Sequence, residues 1–201
     1  MDGQQQTGKM TVGLKDLYYA KLLTDVKDGT TTYAVPKRLA GAINANLNPN
    51  GTQTTVYVDD VPAESVSSQG LLEIELGIDA LPKDVAAEVF GYRIDNNGVL
   101  AEGSSQSQPY IALAFRSETT DGGYKYVWLY KGKLQPPSEE FQTKGESVEI
   151  KTGTVSGQFV NRASDGEKKM SVHSNDTDIE PTVITEWFTK VYTPDFSTPS
   201  V

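Results

Sequence analysis

Cysteine is absent from the 201-residue sequence, and histidine occurs once, at His173. The first absence excludes disulfide scaffolds, thiol catalysis and cysteine-held zinc or iron, and the second excludes any site built on two imidazoles. Nowhere does the chain run for the roughly 18 apolar residues that a membrane-spanning helix needs. The opening MDGQQQTGKM has no basic stretch followed by an apolar one, so synthesis in the cytoplasm without a secretion signal is expected. The N-x-T sequences at Asn50 and Asn175 then carry little meaning as glycosylation sites. Positive charge is also short: 18 Lys plus Arg stand against 27 Asp plus Glu, a net charge of −9. A chain of that sign repels phosphate unless a basic patch is segregated, which disfavours direct nucleic-acid grip.

What is present points to one mostly β domain. Eighteen Gly and ten Pro punctuate runs rich in Thr, Val, Ile and Tyr. In LLEIELGID, Leu72, Ile74, Leu76 and Ile78 point one way while Glu73, Glu75 and Asp79 point the other, giving a strand with a core face and an acidic face. PYIALAFRSE and GGYKYVWLYKG read as a hairpin over 110–131, its polar tip at Asp121, Gly122 and Gly123. Further strands are expected at 54–60, 146–160 and 168–174. LKDLYYAKLL is ambiguous between strand and helix; its alternation leans to strand, though both its faces carry apolar residues. PKDVAAEVFG predicts a helix, with Pro82 at its first position, Asp84 in its first turn, Val85 and Val89 four apart, and Gly91 capping its end. PTVITEWFTKVYTP suits a helix from Pro181 or a strand about equally well. Two polar stretches, 44–53 and 61–70, flank the strand at 54–60 like a projecting arm. Residues 1–10 and 193–201 lack apolar periodicity and are expected to be mobile in an isolated monomer.

Candidate chemistry is mostly rejected at this level. Gly3, Gly8 and Lys9 have phosphate-loop spacing, but Met10 replaces the metal-binding hydroxyl and no strand precedes Gly3. Asp95, Asn96, Asn97 and Gly98 suit a tight turn better than a calcium loop. Asp176, Asp178 and Glu180 read as a solvated loop. Glu73 and Glu75 share a strand face, whereas glycosidase carboxylates come from separate elements across the sugar. His173 has Ser171 and Ser174 near it in sequence, which does not make a triad. Tyr124, Tyr126, Trp128 and Tyr130 share one face, which is core or interface material or, in the competing reading, the platform of a monomeric carbohydrate-binding β-sandwich. No catalytic, cofactor-binding or metal-binding residue is assigned, and no enzyme is expected.

The wording of VGLKDLYYAKL (12–22), FGYRIDNNGVL (90–100) and above all PYIALAFRSE with YKYVWLYKGKLQPPSEEFQTKGESVEI (109–150) resembles the major tail proteins, or tail tube proteins, of long-tailed bacteriophages of Gram-positive hosts. The resemblance spans most of residues 12–192. It implies a mainly β fold, a β-sandwich or barrel-like subunit with one flanking helix at about 82–90, a long inter-strand loop and extended termini. The implied organisation is an N-terminal arm at 1–11, one domain at 12–192 with its loop arm at about 44–69, and a tail at 193–201. The implied function is a structural virion protein, assembled in the host cytoplasm, whose stacked and typically hexameric rings form the tube that conducts DNA into the host. Implied partners are other copies of the chain, the tape measure protein, the tail terminator and distal tail proteins, and passing double-stranded DNA that is not specifically bound; no membrane is involved. The resemblance also makes Asn46, Asn48, Asn50, Thr52, Asp59 and Asp60 candidates for an inter-ring loop. Glu73, Glu75 and Asp79 become candidates for the lumen, with an outer solvated surface as their alternative.

Overall fold

Every second residue of LLEIELGID is buried: Leu72, Ile74, Leu76 and Ile78 are at most 5% exposed, while Glu75 is open to solvent. The period of two read from the sequence therefore sets which face of this strand meets the core. The structure is a computed structural model and describes residues 10–27, 29–58, 61–103, 107–138 and 152–196. Among these residues the elements are, in order, β1 (Thr11–Asp25), β2 (Thr31–Tyr33), β3 (Lys37–Ala40), β4 (Ala42–Val58), β5 (Val61–Ile78), α1 (Lys83–Phe90), β6 (Arg93–Ile94), β7 (Leu100–Ala101), β8 (Ile111–Thr119), β9 (Tyr124–Leu134), β10 (Gly153–Val160), β11 (Lys169–His173) and α2 (Pro181–Glu186).

The fold is mainly β, as expected. Nine strands form one antiparallel sheet in the order β2-β1-β8-β9-β10-β5-β4. β3 shares an edge of β1 with β2, and β11 shares an edge of β9 with β10. The expected hairpin at 110–131 is β8–β9, and Gly122 supplies the positive φ, 77°, at its tip. The expected strands at 146–160 and 168–174 correspond to β10 and β11, with 146–151 outside the described residues.

β8 and β9 are buried on both faces. Ile111, Leu113, Phe115, Val127 and Leu129 point into the larger core with β1, β3, β5, β10 and α1. On the opposite face Ala112 and Ala114, with Ala20 of β1, leave room for Tyr126, Trp128 and Tyr130, which Trp187 completes as a second core. The cover is the chain after β11. α2 starts with Pro181 in its first turn and delivers Trp187 and Phe188 to the sheet, so the open choice between helix and strand for this segment falls to a short helix. Trp128 Nε1 donates to the Trp187 carbonyl at 3.1 Å and the Tyr130 hydroxyl to the Tyr192 carbonyl at 2.8 Å, satisfying the polar tips of two buried rings. The aromatic face is thus core, and it offers no open platform for a sugar.

β1 explains why LKDLYYAKLL carries apolar residues on both faces. Leu14, Leu17 and Tyr19 all belong to the larger core, although the step from 14 to 17 is odd, while Tyr18 and Ala20 belong to the second. A bulge between Lys15 and Tyr18 makes the switch, with Asp16 at φ 54°. The unfavourable backbone is held by an ion pair from Arg116 Nε to the Asp16 carboxylate at 2.5 Å, and the Arg116 guanidinium lies 4.5 Å from the Tyr124 ring centre.

α1 occupies the expected place one residue late, with Pro82 at the cap and Lys83 as its first helical residue. Ala86, Val89 and Phe90 pack inward, and Gly91 ends the helix at φ 76°. A Cβ there would approach Gln108 Cα and the Ser107 carbonyl at 3.2 Å, so the cap requires glycine for space as well as for conformation. Glu88 ties the helix to the sheet by accepting from the Tyr19 hydroxyl at 2.7 Å and pairing with Lys37 of β3. At the far end of β1, Asp25 accepts from Lys131 Nζ at 2.6 Å and from the Ala163 and Ser164 amides. Burial opposes the Asp25 charge, yet these donors outweigh it and hold the carboxyl below its usual range.

Candidate functional site

The stretch at 44–69, expected as a loop arm around a short strand at 54–60, is occupied by two long strands, β4 and β5, and 54–58 of the expected strand lie in β4. Asn is a turn former, but here Ala45 and Leu47 alternate with Asn46 and Asn48 and pack partly against the larger core, so a strand wins. Pairing of β4 with β5 runs from Ala42–Ile78 to Val58–Val61, interrupted by irregularities at Ala42/Asn44, Pro49/Gly51 and Val56/Tyr57.

This register joins two groups that the sequence left separate. Asn46 lies opposite Glu75 and Asn48 opposite Glu73, and on the other side of β5 the same glutamates face Ser156 and Gln158 of β10. The result is one polar patch across three strands, backed by Ile74, Leu76, Val155 and Phe159 of the larger core. Gln158 Nε2 donates to Glu73 Oε1 at 3.2 Å. Asp79 stands apart from this patch, just past β5. It accepts from the Ala80 amide at 2.6 Å and the Gly41 amide at 2.8 Å, and these two donors hold its carboxyl below the usual range. Its local work is to clamp the corner where β3 passes into β4.

β10 pairs with β5 only from Leu72 to Ile78. Beyond that level, 51–58 and 61–69 pair with each other as a two-stranded ribbon, and Lys168 Nζ donates to the Gly70 carbonyl at 2.6 Å at its base. The arm proper is therefore shorter than 44–69, because residues 42–50 are part of the main sheet. Asn50 sits at the irregularity where the ribbon begins and is exposed, and Thr52 lies in the ribbon. Asp59 and Asp60, between β4 and β5 in sequence, lie outside the described residues.

The described residues thus form a well-packed β domain with a long two-stranded extension and a polar strand face. The chain matches the phage tail tube protein family over residues 6–195. It belongs to that family. No curated protein matches it. The tail tube subunit is thus a structural component of the virion tail, in agreement with the resemblance read from 12–22, 90–100 and 109–150.

The remaining sequence candidates have local structural work in the tail tube subunit. Asp95 Oδ1 accepts from the Asn97 and Val99 amides at 2.9 and 2.7 Å, and Gly98 at φ 80° closes the turn between β6 and β7. His173 Nε2 is 3.0 Å from Thr119 Oγ1, and its Nδ1 accepts from the Asn175 amide at 3.3 Å, which ties the end of β11 to the β8–β9 tip. Asp121 accepts from Thr119 Oγ1 at 2.6 Å and from the Gly123 amide, and its carboxyl is lowered to about 2, the Thr119 bond contributing most. No group of three metal-ligating side chains occurs among the described residues, Asp176 and Asp178 included. Gly3, Gly8 and Lys9 lie outside them.

One feature escaped the sequence reading. A cavity of about 420 Å³ opens between the start of β1 and the start of β4, lined by Thr11–Leu14, Ile43–Ala45, Leu47, Phe115, Ser117, Lys125, Val127 and Lys169. Its residues come from five strands distant in sequence, and the alternation of any one strand gives no sign of it.

Proposed function

We propose that this tail tube subunit polymerises with itself into closed rings, six copies in each, that stack into the tube through which DNA leaves the capsid. The observation that carries the reading is the β4–β5 ribbon, paired among the described residues only with itself over 51–69, in a chain matched to the tail tube family along nearly its whole length. An isolated two-stranded ribbon is at best marginally stable in water, so a neighbouring subunit is its natural support. In this reading Asn50, Thr52, Asp59 and Asp60 belong to the inter-ring contact, and Asn46 and Asn48 border its base. The tube encloses the tape measure protein, ends against the terminator and distal tail proteins, and assembles in the cytoplasm of a Gram-positive host.

Glu73 and Glu75 are assigned to the lumen, on a polar patch with Asn46, Asn48, Ser156 and Gln158. Asp79, apart from that patch at the β3–β4 corner, is the third acid proposed for the lumen. Six copies at −9 each bring −54 charges to a ring, and a wall of that sign repels phosphate, so DNA slides without counterion-releasing adhesion. Changing Glu73 and Glu75 to Lys alters each subunit by +4 without touching Leu72, Ile74 or Leu76. Virions carrying both changes should build normal tails yet eject DNA slowly at low salt, with recovery as salt rises. Unchanged ejection from normal tails would place the pair outside the lumen, and missing tails would place it in a subunit interface. The self-assembly reading itself is tested by sedimentation of the purified chain over a range of concentration and salt. Large species of uniform size support it, whereas a 21.9 kDa monomer throughout, also with tail initiator proteins present, refutes it.

A further inference from the structure

The cavity beside β1 combines two open strand edges with uncompensated positive charge. Along 11–16, β1 pairs with β8 on one side only, because β3 begins to pair at Leu17 and β2 at Leu22. Among the described residues β4 pairs with β5 alone, and no strand pairs with its other edge. Both open edges line the cavity, through Thr11–Leu14 and Ile43–Ala45, and Val12 and Ile43 are 70% and 49% exposed. Free edges of this kind accept a further strand, and exposed apolar residues beside them add burial when one arrives.

Lys125 and Lys169 line the same cavity. Neither has a carboxylate partner among the described residues; Lys21, Lys83, Lys133 and Lys168 are likewise without one, but of these cations only Lys125 and Lys169 line the cavity. Partial burial, followed by the charge of Lys125, holds Lys169 below the usual lysine range. Lys169 is exposed at the cavity's edge and Lys125 half-buried, four register positions away along the β9–β11 pair, and in a chain of net charge −9 these two cations on one cavity suit an acidic partner.

We infer that this cavity is the receptor for the acidic tip of the β4–β5 ribbon, Asp59 and Asp60, of a second copy of the chain, with Lys125 and Lys169 as its charge partners. The inference rests on the self-assembly reading above and deepens it by naming both halves of one contact. The tip is acidic, and the strands that flank it are Val-rich and already extended, so it suits both the charge and the open edges. It comes from another subunit because β4 leaves the cavity at Leu47 and runs 11 residues to Val58, roughly 36 Å at about 3.3 Å per residue. Tip and receptor are different surfaces of one subunit, so the contact is head-to-tail and repeats from ring to ring along the stack.

The test is charge reversal followed by rescue. Lys125→Glu with Lys169→Glu forms the receptor variant, Asp59→Lys with Asp60→Lys the tip variant, and all four changes the combined variant. Each is compared with the wild-type chain by sedimentation and melting. The expected result is wild-type melting in every case, a fall of tenfold or more in the assembled fraction of the receptor and tip variants, and recovery in the combined variant. A receptor variant that assembles like an assembling wild-type chain overturns this assignment alone, whereas a wild-type chain that never assembles removes the self-assembly reading beneath it.

Cross-linking keeps the question open to refutation if a charge-reversed chain fails to fold. The sequence has no cysteine, so Asp60→Cys protein mixed with Lys169→Cys protein should give a disulfide-linked pair. Absence of that pair from assembled material overturns the inference. So does a pair that forms only when residues 1–9 are deleted, which would assign the cavity to the chain's own N-terminal segment. Retention of duplex DNA by the wild-type chain and not by the receptor variant would assign the lysines to phosphate and overturn it as well.

Discussion

β8 and β9 are covered on both faces, while the ribbon of β4 and β5 beyond Gly70 pairs only with itself. In the first region side chains of alternating size meet two cores, and the polar ends of Trp128 and Tyr130 are satisfied by the covering segment. In the second, the backbone keeps its ladder, but among the described residues neither strand has another neighbour in the sheet. The difference separates two demands on a tail tube subunit: the doubly covered hairpin holds the subunit's own fold, and the ribbon offers the backbone edges that the proposed assembly uses.

The largest expected effect lies in the covered region. Trp128→Ala removes a fully buried ring and its hydrogen bond to Trp187, and should destabilise the subunit by about 3–5 kcal/mol in urea unfolding. A cost near zero would show that the cover over β9 is loose and that the contrast between the regions is false. Next comes the bulge that lets β1 serve both cores. Asp16→Ala keeps a left-handed residue without its ion pair to Arg116 and should cost about 1–2 kcal/mol, and Asp16→Asn, which tolerates that backbone, should cost less. Equal losses would assign the effect to charge and not to conformation.

A smaller effect is expected at the tip of the covered hairpin, as a dependence on pH. The Asp121 carboxyl is lowered to about 2 in the folded chain, against roughly 3.9 for a free aspartate. A lowered value means the folded state favours the ionised form, so the stabilisation is complete above about pH 4 and is lost as pH falls towards about 2. The melting difference between the wild-type chain and Asp121→Asn should therefore shrink from pH 5 to pH 2, and a constant difference would contradict the assignment. The smallest effect on stability belongs to the ribbon. Replacing 53–67 by Asn-Gly shortens both strands in register between Thr52 and Ser68, which are paired, and melting should move by no more than about 2 °C, less than the shift that about 1 kcal/mol produces in a chain of this length. Deleting 48–53 alone would instead remove residues from one strand and slip every pair beyond.

Residues with short-range signals were legible in the sequence. Leu72 to Ile78 declare their buried face by alternation, Gly122 marks the β8–β9 turn, and Val85, Val89 and Gly91 outline α1. Features set by distant partners were not. The face switch at Asp16 depends on Arg116, one hundred positions away, and the cover over Trp128 depends on Trp187. Asn46 and Asn48 read as loop because asparagine favours turns, although the alternation with Ala45 and Leu47 was there to be seen. The tail tube assignment was legible through the wording of whole segments, whereas the cavity of Lys125 and Lys169 exists only once five strands are assembled.

The central claim is that folding resides in the covered sheet and assembly in the ribbon. Negative-stain electron microscopy of the wild-type chain beside the chain shortened over 53–67, at equal concentration and with matching circular dichroism, tests it most directly. The account predicts rings or tubes of one diameter for the former and isolated particles for the latter. Tubes formed equally well by both chains would contradict it.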